Sequence, residues 1–403
     1  MQHKITLCLV ILTVLGLFTG CAGSPVNQGE TTHATPASLE STSPESTAPK
    51  VTQPGIPQDS DTISAPDAES DADMTPASTN DTASADTIDT RNTPTPVSFY
   101  GPLHVSGTAL CDANDRPVQL RGVSTHGLGW YPEYVNEDTF RTLKEDWQIN
   151  TVRLAMYTEE YNGYCSSNDA QKDQLWETVC KGIKAAIDLD MYVIVDWHIL
   201  NDGNPLTHLD EANGFFDRIT ARYGDDAHII YEICNEPNGD TSWEDVKTYA
   251  KQVLPIIRKN APSSVIIIGT PTWCQDVDQA AASPLAADNV VYALHFYADT
   301  HRDDLRTKMV QAIDAGLPIF VSEFGICDAS GNGNVNTDQA DAWISLLNQY
   351  NISYIAWNLS NKDESASLLK SSCTKLSDFT DDDLSDAGQW LKNTLTQNDP
   401  SDQ

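Results

Sequence analysis

Short apolar runs recur from about residue 118 onwards, and amphipathic stretches of helical periodicity separate them. Runs of this kind, rich in β-branched and aromatic residues, predict buried strands, whereas the stretches between them predict helices. The eight predicted strands are Val118–Ser124, Ile149–Met156, Met191–His198, His228–Asn235, Val265–Thr270, Val290–Tyr297, Pro318–Phe324 and Ile352–Leu359. The clearest helical patterns are "DQLWETVCKGIKAAIDLD" at 173–190 and "DVKTYAKQVLPIIRKN" at 245–260.

Eight strands that alternate with helices predict an α/β protein with a closed parallel (β/α)8 barrel, the TIM-barrel fold. An open, doubly wound sheet is the alternative. It is disfavoured because no glycine-rich phosphate-binding fingerprint follows the first predicted strand. A barrel of this type carries its functional residues at the carboxyl ends of the strands.

The first residues, "MQHKITLCLVILTVLGLFTGC", combine a lysine with an apolar run that is too short to span a bilayer comfortably. This layout predicts a signal peptide over residues 1–20. The end of the segment resembles the bacterial lipobox, although Phe18 stands where leucine is usual. We therefore predict lipidation of Cys21, with ordinary signal cleavage as the alternative. A lipid would anchor the protein to a membrane without a spanning helix.

Residues 21–98 form a second region with a distinct composition. The segment 22–98 lacks Phe, Trp and Tyr, is dominated by Pro, Ser, Thr, Ala and Asp, and carries only Lys50 and Arg91 as basic residues. Such a composition cannot bury enough apolar surface to offset its ordering entropy, so it predicts a disordered linker. The (β/α)8 domain is predicted over residues 99–396, followed by a tail at 397–403.

The formal net charge of −34 limits the partners of the protein. A surface this negative repels nucleic-acid phosphates and favours a neutral ligand, so we expect no nucleic-acid partner. We expect a monomer. Seven cysteines remain after Cys8 and Cys21 are set aside, an odd number that leaves at least one thiol unpaired within the chain. They are Cys111, Cys165, Cys180, Cys234, Cys274, Cys327 and Cys373, and without a CxxC pair they do not predict a zinc cluster.

Polar and aromatic side chains stand at or just after the ends of all eight predicted strands. In chain order they are His126 and Trp130, Arg153 and Tyr157, His198, Asn235 and Glu236, Trp273, His295 and Tyr297, Glu323, and Trp357 with Lys362 and Glu364. A single glutamate at a strand end is usually a cap or a surface charge. Two acids on strands four and seven among aromatic residues favour glycoside hydrolysis, which needs one carboxyl as acid and another as nucleophile or base.

The stretch "HIIYEICNEPNG" at 228–239 places Asn235, Glu236 and Pro237 where an apolar run stops. Adjacent residues of a regular strand face opposite ways, so Asn235 and Glu236 share a cleft only if the alternation breaks there. Pro237 favours such a break because it biases Glu236 away from helical geometry. Glu232, inside the strand, is the rival carboxylate, and we expect it in a buried polar network. Apolar neighbours and the charge of Glu323 are expected to raise the pKa of Glu236.

Seven segments together resemble glycoside hydrolase family 5 of clan A, in particular its bacterial endo-β-1,4-glucanase branch. They are "GVSTHGLGWYPEYVN", "TVRLAMYTEEY", "YVIVDWHIL", "YEICNEPNG", "VYALHFYA", "VSEFG" and "AWNLSNKDESASLL", and they span nearly all of residues 99–396 in the family's order. The resemblance implies a (β/α)8 barrel and a retaining double-displacement mechanism without metal or other cofactor.

The resemblance also implies roles for the polar strand ends. Glu236 matches the acid/base residue of the Asn-Glu-Pro motif, and Glu323 matches the nucleophile. Phe324 follows it, where close relatives often have tryptophan, and we expect activity to survive this difference. Arg153 corresponds to the arginine that keeps the nucleophile ionised, since a guanidinium beside a carboxylate lowers its pKa.

The remaining positions are implied to bind the sugar chain. Asn235 matches the residue that hydrogen-bonds the sugar 2-hydroxyl at the cleavage subsite. His126, Tyr157 and His198 match residues that line the same subsite, and Trp357 matches its stacking floor. His295 and Tyr297 are implied to lie near the nucleophile, with Tyr297 placed to hydrogen-bond Glu323. Trp130, Lys362 and Glu364 match the next subsite towards the non-reducing end. Trp273 matches an aromatic residue on the leaving-group side.

Two further patterns were considered as metal sites, and neither predicts one. Asp196 and His198 could indicate a metal, but a third ligand at suitable spacing is missing, and we assign none. The acid-rich segment 378–388 lacks the ligand spacing of a calcium loop and is expected to cap a last helix around Gly388–Leu395. The expected function is endo-hydrolysis of cellulose-like β-glucan in the cell envelope, anchored and facing outside the cytoplasm at the outer membrane or cell surface, or secreted. The alternatives are mannan, mixed-linkage glucan or xyloglucan as substrate, or a non-catalytic glycan-binding lipoprotein.

Overall fold

The computed structural model describes residues 96–397 of the chain. The predicted signal peptide, the lipidation of Cys21, nearly all of the linker and residues 398–403 of the tail lie outside the described residues. They remain predictions. Between residues 96 and 397, no helix is both long and apolar enough to cross a bilayer.

Eight parallel strands close into a barrel, which confirms the predicted fold class. The strands of the structure are β1 His104–Ser106, β2 Ala109–Cys111, β3 Arg121–Thr125, β4 Thr151–Tyr157, β5 Tyr192–His198, β6 Ile229–Glu232, β7 Ile266–Ile268, β8 Val290–Tyr297, β9 Ile319–Gly325 and β10 Tyr354–Leu359. Around the barrel the order is β10-β3-β4-β5-β6-β7-β8-β9, whereas β1 and β2 form a separate antiparallel pair.

One short helix precedes all the strands, and the other helices follow barrel strands and surround them. They are α1 Val97–Tyr100, α2 Glu137–Trp147, α3 Asp169–Asp188, α4 Leu209–Tyr223, α5 Trp243–Asn260, α6 Pro271–Cys274, α7 Val277–Ala282, α8 Asp303–Asp314, α9 Thr337–Gln349 and α10 Asp386–Gln397. The two helical sequence patterns correspond to α3 and α5. Capping boxes begin both helices, with Asn168 and Ser242 as the capping residues, because each side chain accepts the orphan backbone N–H three residues ahead.

Each predicted strand overlaps a barrel strand of the structure, but most of the predicted ends differ from the observed ends by a few residues. The first predicted strand began at Val118, but the backbone N–H of Val118 donates to Leu110 O at 2.8 Å and so extends the β1–β2 pair instead. The fourth was predicted to reach Asn235, yet β6 ends at Glu232. Beyond it the backbone turns towards β5, since the N–H of Asn235 donates to Trp197 O at 3.1 Å.

Two apolar layers hold the barrel together. The larger layer lies between the outer faces of the strands and the helices, where Trp147, Trp197 and Trp343 are fully buried. The smaller layer fills the amino end of the barrel and joins residues of α1 and the β1–β2 pair to inward-facing strand residues such as Ile194 and Phe320. This end is therefore closed, and the carboxyl ends of the strands are left for a site.

The acid-rich segment 378–388 caps the last helix, as predicted, because its residue Ser385 immediately precedes α10. The Ser385 hydroxyl accepts a hydrogen bond from the Gly388 N–H at 3.0 Å, the geometry of a helix cap. α10 is longer than expected and includes Gln397, which had been assigned to the tail. Among residues 96–397 all seven cysteines are unpaired.

Candidate active site

A cleft of about 670 Å³ opens at the carboxyl ends of the barrel strands. Twelve of the fourteen predicted active-site residues line it, namely His126, Trp130, Tyr157, His198, Glu236, Trp273, His295, Tyr297, Glu323, Trp357, Lys362 and Glu364. Arg153 and Asn235 do not. Both are fully buried beneath the cleft.

Glu236 and Glu323 face each other across the centre of this cleft. A carboxylate oxygen of each, together with a ring nitrogen of His295, lies within 4.8 Å of the others. Glu323 accepts hydrogen bonds from the Tyr297 hydroxyl at 2.8 Å and from Arg153 Nη1 at 3.2 Å. Within residues 96–397 the Glu236 carboxyl has one hydrogen-bond partner, His295, with Oε1 and Nδ1 2.9 Å apart. The two carboxyls therefore have different partners, and the donors are gathered around Glu323.

Arg153 on β4 connects the site to three buried carboxylates. Its guanidinium donates to Glu232 Oε2 at 2.7 Å and lies 3.0 Å from Asp196 Oδ2, in addition to its bond to Glu323. Burial alone would lower the pKa of Arg153, but Asp196, Glu232 and Glu323 raise it well above its usual value. The guanidinium stays charged. Glu232 is thus part of a buried polar network, as expected from its position inside the strand.

Asn235 is held by the same network. Its side-chain Oδ1 accepts from Arg153 Nη2 at 2.7 Å, and its Nδ2 donates to Ile199 O at 3.1 Å. The amide also lies 3.3 Å from His198 Nε2. With these partners and no exposed surface, Asn235 supports the cleft from below in this structure, and its contact with a sugar hydroxyl stays a prediction.

A chain of hydrogen bonds leads from Glu236 into the barrel. His295 Nε2 lies 2.9 Å from Ser322 Oγ, which donates to Glu232 Oε1 at 2.7 Å. Because Glu232 is bonded to Arg153 and only accepts, the single Ser322 hydrogen points to it, and His295 Nε2 donates to Ser322. Burial lowers the pKa of His295 to about 4, so the ring is neutral and Nδ1 carries the lone pair. The proton between His295 and Glu236 then belongs to the Glu236 carboxyl.

The pKa shifts of Glu236 and Glu323 agree with a proton on the Glu236 carboxyl. Burial raises the pKa of Glu236 to about 7, opposed by Arg153 and reinforced by Glu232. Burial and the charge of Glu236 raise the pKa of Glu323 as well, while His295 and Arg153 lower it. The effect of Arg153 on the pKa of Glu323 therefore has the expected sign, but burial outweighs it. Since Glu323 has two donors and Glu236 has none, one shared proton resides on Glu236.

The backbone after β6 presents Glu236. The segment leaves the strand at Glu232, and the N–H of Glu236 donates to Ile199 O at 3.3 Å. Gly269, the residue that follows β7, makes this path possible, because a Cβ there would lie 2.3 Å from Cys234 O. The alternation of side chains is broken at this point, as the sequence Asn-Glu-Pro predicts.

Behind Glu323, Phe324 takes the place that tryptophan often has in the resembling family. Its ring stacks on Phe296 at 5.2 Å between centroids and meets the ring of Tyr354 at 5.9 Å. Phe324 is buried, and the strand that carries the carboxylate is firmly packed.

Aromatic rings form one wall and the floor of the cleft. Tyr157 lies 4.0 Å from His198 and 4.8 Å from Trp130 between ring centroids, and Trp357 stacks on His198 at 5.3 Å. Burial and the nearby Lys362 lower the pKa of His126 to about 3, so this ring is a neutral hydrogen-bonding group. A continuous set of neutral rings suits the apolar faces of pyranose sugars.

The two ends of the cleft differ. At one end, Lys362 Nζ pairs with Glu364 Oε2 at 2.5 Å, close to His126. At the other end, Trp273 of α6 is 44% exposed, an unusual exposure for tryptophan. Its backbone N–H donates to Pro237 O at 3.1 Å, which ties Trp273 to the segment that carries Glu236.

Within residues 96–397, one group of His, Cys, Asp or Glu side chains brings together three atoms that could bind a metal ion. The group consists of Glu236, His295 and Glu323. Their atoms have protein partners already, since His295 Nδ1 is bonded to Glu236 and a Glu323 oxygen to Tyr297. We therefore assign no metal to this group.

Several residues that the structure places in or beneath the cleft were not predicted from the sequence. Ser322 immediately precedes Glu323 and could have been recognised only from its bond to His295. The lining residues outside the predictions are Glu160, Leu200, Gln275, His301, Ala329, Ser330 and Gly331. All lie in loops that follow strands, where a single sequence carries no periodic signal.

A parallel barrel with two close carboxyl groups and aromatic rings at its carboxyl ends is the arrangement of a carbohydrate-cleaving enzyme. Comparison with known proteins agrees. The family model described as cellulase (glycosyl hydrolase family 5) matches residues 111–363. The chain therefore belongs to glycosyl hydrolase family 5, a retaining family of clan A.

Individual relatives are similar over the same region. Endoglucanase A of Butyrivibrio fibrisolvens is 46% identical over 307 residues, which cover 76% of this chain and 71% of that protein. An endoglucanase of Clostridium saccharobutylicum is 46% identical over 299 residues, covering 74% and 66%. Among solved structures, the catalytic domain of Thermobifida fusca endoglucanase Cel5A in complex with cellotetraose has a TM-score of 0.69 at 36% identity, over 75% of this chain and 99% of that one.

Proposed function

We propose that this protein is an endo-β-1,4-glucanase that cleaves cellulose and related β-glucans with retention of anomeric configuration. The observation that carries the proposal is the pair Glu236 and Glu323, whose oxygens approach within 4.8 Å. Retaining glycosidases place their carboxyls ~5–5.5 Å apart, whereas inverting enzymes need ~6.5–9.5 Å to admit a water molecule. The relatives named endoglucanase and the structure with cellotetraose support the substrate class.

In the first step Glu323 attacks the anomeric carbon and forms a glycosyl-enzyme bond. Arg153 and Tyr297 hold its carboxylate in place by their hydrogen bonds. The carboxyl proton of Glu236 passes to the glycosidic oxygen as the bond to the leaving sugar breaks. A rotation of this carboxyl group turns its O–H from His295 towards that oxygen.

In the second step a water molecule releases the sugar from Glu323. Glu236, now a carboxylate, takes a proton from the water as it attacks, and both glutamates return to their first state. His295 stays neutral throughout and, between turnovers, accepts a hydrogen bond from the Glu236 carboxyl. The acid and the base are thus one residue, and its pKa of about 7 suits both tasks.

The sugar chain lies along the aromatic rings. We assign the cleaved sugar to Trp357, Tyr157 and the three histidines, with Asn235 beneath it. Trp130, Lys362 and Glu364 bind the next sugar towards the non-reducing end, and Trp273 binds the leaving group. A neutral glucan suits a protein with a net charge of −34.

The location of the enzyme is part of the proposal. The apolar leader and Cys21 support a lipid anchor in the cell envelope, with the barrel facing outside the cytoplasm. The Pro- and Ser-rich segment up to residue 98 supports a tether that lets the barrel reach polysaccharide away from the membrane. We also propose that the enzyme acts as a monomer.

Proton NMR of the anomeric signals during digestion of cellopentaose tests the proposed function. The full chain is expected to release β-anomer first, and mutarotation then produces the α-anomer. Early α-anomer would contradict retention and the role of Glu323. Intact cellopentaose would contradict the glucanase, and digestion of mannopentaose would then assign the chemistry to mannan. Binding without cleavage of either would indicate a non-catalytic glycan-binding protein.

The alkaline limit of activity tests the proton position on Glu236. We expect kcat/KM to fall as pH rises through about 7, because Glu236 must be protonated in the first step. Ser322→Ala is expected to move this limit down by roughly one pH unit. Without Ser322, His295 can carry its proton on Nδ1 and donate to the Glu236 carboxylate, which favours the charged form and lowers the pKa.

The measurement is kcat/KM for cellopentaose between pH 4 and 10. The matched control is Ser263→Ala, an exposed serine remote from the cleft. An unchanged or upward-shifted limit in Ser322→Ala would refute the proposed direction of the hydrogen-bond chain.

A further inference from the structure

A second hollow adjoins the cleft at the end marked by Trp273. It has a volume of about 570 Å³ and lies between Gln275 and the segment 300–308 at the start of α8. Gln275 and His301 line both this hollow and the cleft. The two spaces therefore meet at these two side chains, on the side where the proposed function places the leaving group. Neither residue has a role in the proposed reaction.

The ring of His301 has one nitrogen bonded to the protein and one without a partner. Nδ1 accepts the backbone N–H of Tyr297 at 2.8 Å, and the backbone N–H of His301 donates to Tyr297 O at 2.8 Å. Burial lowers the pKa of His301, so the ring is neutral and its proton lies on Nε2. In the described part of the chain Nε2 has no hydrogen-bond partner, and it is not one of the buried atoms that lack one. His301 therefore presents an accessible N–H donor to the space that it lines.

Gln275 supplies a second set of polar atoms at the same place. Its backbone N–H donates to Pro271 O at 3.2 Å, whereas its side-chain amide has no hydrogen-bond partner among residues 96–397. The amide is not among the buried polar atoms without a partner either, so it too is accessible. An amide both donates and accepts, and so does a sugar hydroxyl. The junction of the two spaces thus carries one donor nitrogen and one complete amide, both available to a ligand.

The short helix α6 presents Gln275 from a strained backbone. Thr272, Trp273 and Cys274 have φ values of 58°, 52° and 59°, in the left-handed region that residues with a Cβ rarely adopt. The turn is held from below, because Cys274 Sγ donates to Asn235 O at 2.9 Å. Strain of this kind persists where the surrounding structure imposes it, and it is concentrated at binding and catalytic sites. Here it leaves the Trp273 ring 44% exposed and places Gln275 beside it.

The charges around the hollow favour a neutral ligand. Lys308 Nζ pairs with Asp276 at 3.0 Å and with Asp278 at 3.2 Å, and Arg302 pairs with Asp299 at 3.2 Å. Both cations of the lining are therefore already paired with aspartates, and two further acids line the hollow. An anion would be repelled. Phe, Tyr and Trp are absent from the described residues of this lining, so hydrogen bonds rather than ring stacking must hold a sugar there.

We propose that this hollow is a second leaving-group subsite, in which His301 Nε2–H and the Gln275 amide hydrogen-bond the sugar beyond the one on Trp273. The inference rests on the proposed function and extends its sugar chain by one residue. A chain of four sugars then fills the site, with two sugars on each side of the cleaved bond. Cellotetraose is therefore expected to yield cellobiose as its main product.

The test compares cellotetraose, whose leaving group reaches the hollow, with dinitrophenyl cellobioside, whose leaving group occupies only the first position. His301→Asn removes the Nε2–H donor but keeps an acceptor for the Tyr297 N–H, because asparagine Oδ1 takes the place of Nδ1. Gln275→Ala removes the amide. Each variant is expected to lower kcat/KM for cellotetraose roughly three- to tenfold, the effect of one hydrogen bond. The value for dinitrophenyl cellobioside should stay within about twofold, because its leaving group makes neither bond.

The matched control is Gln311→Ala, an exposed amide of α8 that lines neither space, and it should leave both rates unchanged. Equal losses with both substrates in His301→Asn would overturn the inference, because His301 would then act through Tyr297 on Glu323. Unchanged rates with both substrates in His301→Asn and Gln275→Ala would overturn it as well. Failure of the unmutated full chain to cleave either substrate would instead overturn the proposed function.

Discussion

Glu323→Gln is expected to reduce kcat for cellopentaose about 10⁴-fold or more, the largest effect of any single substitution in this protein. An amide cannot form the glycosyl-enzyme bond, and the first step then has no covalent route. The fold should survive. Arg153 keeps Asp196 and Glu232 as buried partners, so the loss of one charge leaves no unpaired guanidinium.

The decisive measurement uses Glu323→Ala with azide and an activated aryl cellobioside. Azide in the space left by the carboxylate should restore turnover and produce the α-glycosyl azide, because a single displacement inverts the anomeric carbon. Glu159→Gln serves as the control for loss of an acidic charge near the cleft. A β-azide product, or full activity of Glu323→Gln, would show that another residue is the nucleophile.

Glu236→Gln is expected to lower kcat/KM for cellopentaose about 10²- to 10⁴-fold, the range typical of a lost general acid–base residue. The effect depends on the leaving group. A dinitrophenolate leaves without protonation, so the first step with dinitrophenyl cellobioside should proceed at a nearly normal rate. The second step lacks its base, and the glycosyl-enzyme should accumulate.

A rapid burst of dinitrophenolate followed by slow turnover is the measurement that checks this role. In Glu236→Ala, added azide should release the β-glycosyl azide, because it attacks the intermediate already formed on Glu323. Equal losses with activated and natural substrates, without a burst, would contradict the assignment of Glu236 as acid and base. Opposite azide anomers in the two alanine variants would identify both residues in one experiment.

Much of the barrel was predictable from local patterns. The apolar runs at Val290–Tyr297 and Met191–His198 coincide with strands to within one residue, since a strand buried on both faces is apolar throughout. The run before Asn235 was misjudged at its end. Apolar residues continue to Cys234, but the backbone there bonds to β5 and leaves the regular ladder, which hydrophobicity does not record.

The positions of Glu236 and Glu323 followed from the sequence because each stands where a predicted strand stops. Their protonation did not follow. The pKa of the acid in the sequence Asn-Glu-Pro is raised to about 7 chiefly by burial, and His295, Ser322 and Glu232 connect to it in one chain of hydrogen bonds. None of these contacts joins neighbours along the chain.

Local sequence thus determined the fold class, the eight strands and the two acids, because periodicity and strand ends depend on residues close together in the chain. Tertiary structure alone decided which groups surround those acids. Arg153 reaches Glu323 across 170 positions of sequence, and closure of the barrel brings them to 3.2 Å. Burial and partners, which set each pKa, exist only once distant strands and loops have come together.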